Sequence, residues 1–307
     1  MDFKLGVKSD PVEYRYSYEW LFDLLAEIDV GYVQLGSFFE LYSVDLSYFE
    51  DLRGAAEERN IRIKSCFTSH RELGGFFSGD RRLETVARAN YERYIDVASV
   101  LGADYAGSNP GSVYRDRIET KPAGIERYME NMRELMHLAR EKGLRGLTIE
   151  PMSCHAEPPS LPGEIDSILG GLDAYHRENP ETTVPVYLCG DTSHGVADGE
   201  GTVLHGCLEL FEYGIPYMAE FHFKNTDAIF NSTFGFAPEE RARGIVDLDE
   251  VFGIIRRSGD RWPVDVVVGY FETTGPKTGR DYSDRRLRGI LAESLSALKG
   301  YTEAFHE

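Results

Sequence analysis

The feature that most constrains this chain is a regular alternation of strand and helix patterns along its 307 residues. Strand patterns are short apolar runs, and helix patterns carry apolar residues at helical spacing. The predicted strands are residues 3–8, 30–35, 61–67, 104–108, 146–150, 184–190, 217–223 and 264–271. The predicted helices are residues 17–29, 46–59, 83–101, 122–142, 163–178, 203–213, 248–257 and 283–304.

This alternation predicts a parallel sheet, because parallel strands are joined by crossover helices. Eight units in about 300 residues predict an α/β fold of the (β/α)8 TIM-barrel type. We expect a single domain over residues 1–307, and a doubly wound sheet with an added domain is the structural alternative. Long loops follow the third, fifth, seventh and eighth predicted strands, at the end of a barrel where active sites lie.

Charge and composition exclude several classes of protein. The net charge of −19 argues against nucleic-acid binding, which needs a basic surface. No apolar run approaches the roughly 20 residues of a membrane span. Residues 1–8 lack the apolar core of a signal peptide, and the four cysteines show no paired spacing. We therefore expect a cytoplasmic protein that binds neither nucleic acid nor a membrane.

The fifth to eighth predicted strands each end in a side chain that can bind a metal. The run Leu147-Thr-Ile-Glu150 stops before a proline, which favours extended geometry. The next three strands end at or near Asp191, His222 and Glu272. Because barrel strands end on one face, these side chains should converge. Three carboxylates and an imidazole suit one divalent ion, such as Mn²⁺, Mg²⁺ or Co²⁺.

Each of these residues also has a simpler interpretation. A single acid at a strand end is usually a helix cap or a salt-bridge partner, and a single histidine is usually a core residue. A series of four in consecutive units favours the metal site. Without a cation, three neighbouring carboxylates would raise one another's pKa values.

Four segments resemble the xylose-isomerase-like barrel superfamily. They are Thr-Ile-Glu150-Pro, Gly-Asp191-Thr-Ser-His194, Phe-His222-Phe-Lys-Asn and Gly-Tyr-Phe-Glu272. The likeness is greatest to sugar phosphate isomerases and epimerases of the ketose 3-epimerase type, which act on D-tagatose or D-psicose. It spans the whole chain, and Asp-x-x-His is its most specific motif. The resemblance implies one divalent metal held by Glu150, Asp191, His222 and Glu272.

The resemblance also implies substrate contacts. The family's substrate-contacting histidine falls on His194, and its acidic contact after the fifth strand falls near Glu157. Its basic contact after the seventh strand corresponds to Arg241 or Arg243, in a loop over residues 226–244 that is longer than the usual one. A homodimer or homotetramer is implied as well.

Two further residues are candidates from their positions alone. His70 follows the third predicted strand and either lines the pocket or lies on a surface loop. Lys224 lies two residues after His222, so alternation turns both side chains to the same side. Lys224 could therefore meet a phosphate or carboxylate of the substrate, and a salt bridge to Asp227 or another acid is the alternative.

The ligand set predicts an isomerase or epimerase of a small ketose or ketose phosphate. A metal would polarise the substrate carbonyl, and Glu150 and Glu272 would serve as catalytic acid and base on opposite faces. A lyase is the main alternative, either an inosose-type dehydratase or a decarboxylase of a 3-oxo sugar acid. A multi-zinc apurinic-site endonuclease and a non-catalytic carbohydrate-binding barrel are less favoured.

Overall fold

The computed structural model describes residues 1–12, 15–36, 40–68, 72–274 and 286–306. The strands in this part of the chain are β1 (Asp2–Lys8), β2 (Tyr32–Leu35), β3 (Arg62–Thr68), β4 (Tyr105–Ser108), β5 (Gly146–Ile149), β6 (Val186–Asp191), β7 (Val196–Ala197), β8 (Val203–His205), β9 (Met218–Phe223) and β10 (Val266–Phe271).

The α-helices within the same residues are α1 (Tyr18–Glu27), α2 (Glu40–Ser43), α3 (Leu46–Glu57), α4 (Arg81–Val100), α5 (Lys121–Glu141), α6 (Pro162–Glu178), α7 (Cys207–Gly214), α8 (Pro238–Arg241), α9 (Leu248–Ser258) and α10 (Leu287–His306). Their starts follow local rules. Ser17, for example, caps α1 by accepting a hydrogen bond from the Trp20 amide at 3.2 Å.

Eight of these strands form a closed parallel barrel in the order β1-β10-β9-β6-β5-β4-β3-β2. The predicted (β/α)8 TIM barrel is therefore confirmed, and the doubly wound alternative is wrong. The strands are buried on both faces because helices cover the outside, which explains their near-continuous apolar runs. In the described chain, no helix is both long and apolar enough to cross a membrane.

The described chain divides into two compact units. The first comprises Met1–Gly36, Leu52–Ile63 and Gly190–Glu307. In it β1 pairs with β2 and β10, and β10 pairs with β9. Aromatic packing stabilises this unit, since the Phe3 ring lies 6.0 Å from that of Phe221 and 5.8 Å from that of Phe252.

The second unit comprises Ser37–Asp51 and Lys64–Cys189. Its strands pair in the order β3, β4, β5, β6, with Ser65 opposite Tyr105 and Leu147 opposite Val186. Helices α4, α5 and α6 pack side by side in this unit.

One predicted helix is wrong in part. The segment predicted as a helix over residues 203–213 begins with β8, which pairs with β7 in an antiparallel hairpin. The Asp198 carboxylate accepts hydrogen bonds from the Glu200 and Thr202 amides, and so fixes the turn between the two strands. Helix α7 begins only at Cys207, after Gly206. Apolar spacing alone does not reveal this side-chain turn.

Candidate functional site

The four predicted ligands lie at the carboxyl ends of their strands. Glu150 directly follows β5, Asp191 ends β6, His222 is the penultimate residue of β9, and Glu272 directly follows β10. Each offers one ligand atom, and these atoms all lie within 4.8 Å of one another. The first three are buried and Glu272 is half-buried. The structure therefore brings the four residues together, and their role as ligands stays a prediction.

The Asp191 carboxylate is oriented by the residues that follow it. Its Oδ1 accepts hydrogen bonds from the Ser193 amide at 2.6 Å and the Ser193 hydroxyl at 2.7 Å. Its Oδ2 instead faces the Lys224 ammonium at 2.8 Å. Thr192 holds the neighbouring strand in place, because its amide donates to the His222 carbonyl at 3.1 Å. One oxygen of Asp191 is therefore used for positioning and the other is turned to the site.

The His222 imidazole lies fully buried between an amide and the carboxylates. Its Nε2 is 2.7 Å from the Gln34 Oε1 atom. Its Nδ1 is 2.9 Å from Glu272 Oε2 and 3.9 Å from Asp191 Oδ2. One ring nitrogen is therefore engaged by a polar side chain, and the other faces two acids.

Two ammonium groups lie beside Glu272. The Nζ atoms of Lys8 and Lys224 are 3.4 Å and 3.8 Å from Glu272 Oε1. Lys8 also pairs with Asp10 at 3.2 Å. Burial raises the pKa of Glu272, but Lys224, Lys8 and His222 outweigh it and hold this pKa well below its ordinary value.

Asp191 has a similar balance. Burial raises its pKa, and the nearby His194 and Lys224 lower it, so that the pKa lies below the ordinary value. Asp10 shows the opposite outcome, because burial outweighs Lys8 and raises its pKa. Asp191 and Glu272 are therefore held as carboxylates at neutral pH.

These donors fit a divalent cation. Asp191 Oδ2 and Glu272 Oε2 are buried, and neither accepts a hydrogen bond of good geometry from a residue in the described ranges. Both are hard oxygen donors and ionised, and an imidazole nitrogen lies beside them. Lys224 and His222 face these oxygens without a hydrogen bond of good geometry, and a bound cation would stabilise the buried charges further. The cluster can therefore hold a metal ion.

Glu150 is positioned by the end of the preceding barrel strand. The Asn109 amide group, one residue beyond β4, donates a hydrogen bond to Glu150 Oε2. The Glu150 amide in turn donates to the Ser108 carbonyl at 3.2 Å. The proline at position 151 ends β5 at this point, as the sequence predicts.

A family model, the xylose isomerase-like TIM barrel, matches residues 22–286. The chain belongs to this family. No curated protein matches its sequence significantly.

Several solved structures share the fold of this xylose isomerase-like barrel. A Rhodospirillum rubrum protein provisionally named a xylose isomerase is 19% identical, with a TM-score of 0.74 over 97% of this chain and 99% of that one. D-psicose 3-epimerase from Clostridium cellulolyticum, solved with D-tagatose, is 14% identical, with a TM-score of 0.65 over 98% and 96%. AsbF from Bacillus anthracis, provisionally named a 3-DHS dehydratase, is 14% identical, with a TM-score of 0.67 over 96% and 98%.

Two of the predicted substrate contacts of this xylose isomerase-like barrel lie beside Asp191. The His194 Nε2 atom is 3.5 Å from Asp191 Oδ2 and 3.0 Å from the Lys224 ammonium. Lys224 forms the salt bridge that was its alternative role, but with Asp191 at 2.8 Å. Asp227 instead accepts hydrogen bonds from Ser232 and from backbone amides of its own loop.

The remaining predicted contacts within the described residues follow β5 or β9 in the chain. Arg243 is exposed and its guanidinium stacks on the Phe234 ring at 4.4 Å. Arg241 lines a groove against α10. Glu157 is half-buried in the loop after β5. His70 lies outside the described residues.

The structure adds polar residues to the site that sequence reasoning missed. Lys8 ends β1, Asp10 follows two residues later, and Gln34 lies within β2. Lys8 and Gln34 are polar residues in otherwise apolar strands, and this is the sequence signal that could have indicated them. Gly36 makes room for this group, because a Cβ atom there would lie 1.8 Å from Asp10 Oδ1.

Proposed function

We propose that this member of the family is a divalent-metal-dependent isomerase or epimerase of a small ketose or ketose phosphate. The observation that carries the proposal is the set of four ligand atoms within 4.8 Å of one another on the ends of four barrel strands. Glu150, Asp191, His222 and Glu272 would hold Mn²⁺, Mg²⁺ or Co²⁺. When bound, such an ion supplies Lewis acidity to a substrate carbonyl and its neighbouring hydroxyl.

The two glutamates would transfer the protons. Glu272, which is held ionised, removes a proton from the carbon beside the carbonyl, and the C–H electron pair passes into an enediolate. Glu150, on a different strand, would start protonated and donate this proton to the opposite face of that carbon, which gives the epimer. Proton exchange with water would then restore both glutamates. Return of the proton to the neighbouring carbon would convert a ketose into an aldose.

Other side chains would hold the substrate. His194 and Lys224 lie beside Asp191, within reach of a molecule at the ligand set. Substrate contacts from His70, Glu157 and Arg243 stay proposals that rest on the family resemblance. The neighbour solved with D-tagatose supports a ketose as the substrate class.

A lyase is the second candidate, and the neighbour provisionally named a 3-DHS dehydratase favours it. Abstraction of a proton beside a carbonyl also begins an elimination, in which a hydroxyl group then leaves as water. The substrate would then be an inosose, or a 3-oxo sugar acid if carbon dioxide is lost instead.

Deuterium exchange followed by NMR tests the proposal. Mg²⁺-loaded protein in D₂O is mixed with tetruloses, pentuloses and hexuloses, free and phosphorylated. Deuterium at carbon 3 together with an epimer supports the epimerase, and deuterium at carbon 1 or 2 together with an aldose supports the isomerase. Absence of exchange with every ketose contradicts both, and the same assay with inososes and 3-oxo sugar acids then tests the lyase.

A further inference from the structure

We infer that Gln34 is a positioning residue that fixes the tautomer of His222, so that His222 meets a metal through Nδ1. The inference rests on the proposed metal site but concerns a residue on a different strand. Gln34 lies in β2 and His222 in β9, 188 positions apart in the chain. The amide would act on the imidazole rather than touch the substrate.

The position of the Gln34 side chain is fixed by its own strand. Residues 33–35 of β2 are buried, and Gln34 is the polar one among them. Its backbone carbonyl accepts a hydrogen bond from the Ser9 amide at 3.0 Å, and its Cα lies opposite that of Lys8 on β1. A buried amide in a paired strand has little freedom, so it presents its Oε1 atom to the imidazole reproducibly.

The hydrogen bond between Gln34 and His222 selects one ring nitrogen for the proton. A neutral imidazole carries a single N–H, and an amide oxygen can only accept a hydrogen bond. With Gln34 Oε1 at 2.7 Å, the proton belongs on Nε2. Nδ1 then presents its lone pair, which is the form in which imidazole binds a metal.

The surroundings of Nδ1 agree with this assignment. Nδ1 lies 2.9 Å from Glu272 Oε2 and 3.9 Å from Asp191 Oδ2, so it points at the other predicted ligands. The nearby imidazole helps to lower the pKa of Glu272, yet Glu272 Oε2 has no hydrogen-bond partner of good geometry in the described chain. A lone pair that faces two ionised oxygens is unfavourable alone and becomes favourable around a shared cation.

One other arrangement of the Gln34 and His222 side chains competes with this assignment. If the Gln34 amide were turned by 180°, its NH₂ group would face Nε2, and Nδ1–H could donate to Glu272. That tautomer would have to lose its Nδ1 proton before His222 could bind a metal. The two arrangements therefore predict different protonated nitrogens in the metal-free protein, which ¹⁵N NMR can distinguish.

Long-range ¹H–¹⁵N spectra of histidine-labelled protein test the inference, recorded at a pH where His222 is neutral. The expected result is an Nε2–H tautomer in both metal-free and Mg²⁺-loaded wild-type protein. In Gln34→Met the tautomer should change to Nδ1–H in the metal-free form. Mn²⁺ affinity, measured by EPR, should fall about 10- to 100-fold, as for other residues that orient a metal-binding histidine.

Two further variants separate positioning from simple loss of packing. Gln34→Glu keeps an acceptor at the same reach and should retain the Nε2–H tautomer. Val33→Ala removes a buried methyl pair from the same strand, so it should lower stability without changing the tautomer. An Nδ1–H tautomer in metal-free wild type, or an unchanged tautomer in Gln34→Met, would overturn the inference. If wild type binds no metal while the tautomer follows Gln34, the metal proposal fails and the positioning role stands.

Discussion

Buried acids at the amino and carboxyl ends of the barrel strands differ in how completely their charges are paired. Near the amino ends, Lys64 of β3 pairs with Asp104, which precedes β4, and Arg145 approaches the same carboxylate at 3.7 Å. At the carboxyl ends, Lys224 lies beside both Asp191 and Glu272, and Lys8 lies beside Glu272. Each of the two acids still keeps one oxygen without a hydrogen bond of good geometry in the described chain.

The backbone shows the same difference. Asp104 is tied on both sides, because its amide donates to the Lys64 carbonyl at 2.8 Å and its carbonyl accepts from the Arg145 amide at 2.8 Å. The Asp104 carboxylate therefore stands on a fixed backbone and faces two cations. We call Lys64 and Asp104 the closed pair, and Asp191, His222 and Glu272 the open cluster. The closed pair serves stability, and the open cluster can serve chemistry.

The largest expected effect is on turnover at the open cluster. Glu272→Gln removes the proposed base but keeps its shape, so kcat should fall about 100- to 10,000-fold in the deuterium-exchange assay. Circular dichroism should show an intact fold. Glu212→Gln is the control, because Glu212 is an acid bonded to Arg257 at 2.7 Å rather than to the cluster. Full activity of Glu272→Gln would refute the two-glutamate mechanism.

The closed pair should respond in the opposite way. Lys64→Met leaves the Asp104 carboxylate buried without its main partner, and should lower the free energy of unfolding by about 3–5 kcal/mol. Urea denaturation measures this change. Mn²⁺ affinity of the folded variant should stay within about twofold of wild type. A large loss of metal affinity without a loss of stability would contradict the division between the two ends.

Metal itself should stabilise the open cluster. At a free Mn²⁺ concentration of about 100 times Kd, the wild-type free energy of unfolding should rise by about 2.7 kcal/mol. Lys64→Met should gain the same increment, whereas Asp191→Asn should gain almost none. Thermal unfolding with and without Mn²⁺ gives the comparison. An equal gain in Asp191→Asn would place the ion elsewhere.

We expect the smallest effect on the free energy of unfolding from the surface pair of Arg257 and Glu212, which belongs to neither end of the barrel strands. A hydrogen bond from Arg257 lowers the pKa of Glu212 below its ordinary 4.5. A lowered pKa means stability that is present above pH 4.5 and is lost as the pH falls through the folded value. Arg257→Met should remove this contribution, which for an exposed pair is about 0.2–1 kcal/mol. Urea denaturation at pH 7 and pH 3 should show a larger difference between the variants at pH 7 than at pH 3.

Much of the fold could be predicted because local patterns determine it. Each strand is a buried apolar run and each long helix has one apolar face, so the alternation alone predicts the barrel. The positions of Glu150, Asp191 and Glu272 follow as well, because each stands where an apolar run ends. The helix predicted over residues 203–213 is wrong in part because the Asp198 side chain forms a turn just before it, so that the segment begins as a strand.

The rest of the site depends on contacts that are distant in the sequence. Nothing local shows that Gln34 meets His222, or that Lys8 and Lys224 flank the same glutamate. Barrel closure brings β1, β2 and β9 into one sheet and so creates these contacts. Arg243 shows a second limit of sequence reasoning. Its position in the family pattern does not reveal that its guanidinium lies on the Phe234 ring.

Equilibrium binding of Mn²⁺ followed by EPR tests the central claim most directly, since that claim is that the carboxyl-end cluster is a metal centre. We predict one tight site per chain in wild type and in Lys64→Met, and an affinity at least 100-fold weaker in both Asp191→Asn and His222→Ala. Absence of binding in wild type, or unchanged binding in these two variants, would contradict it.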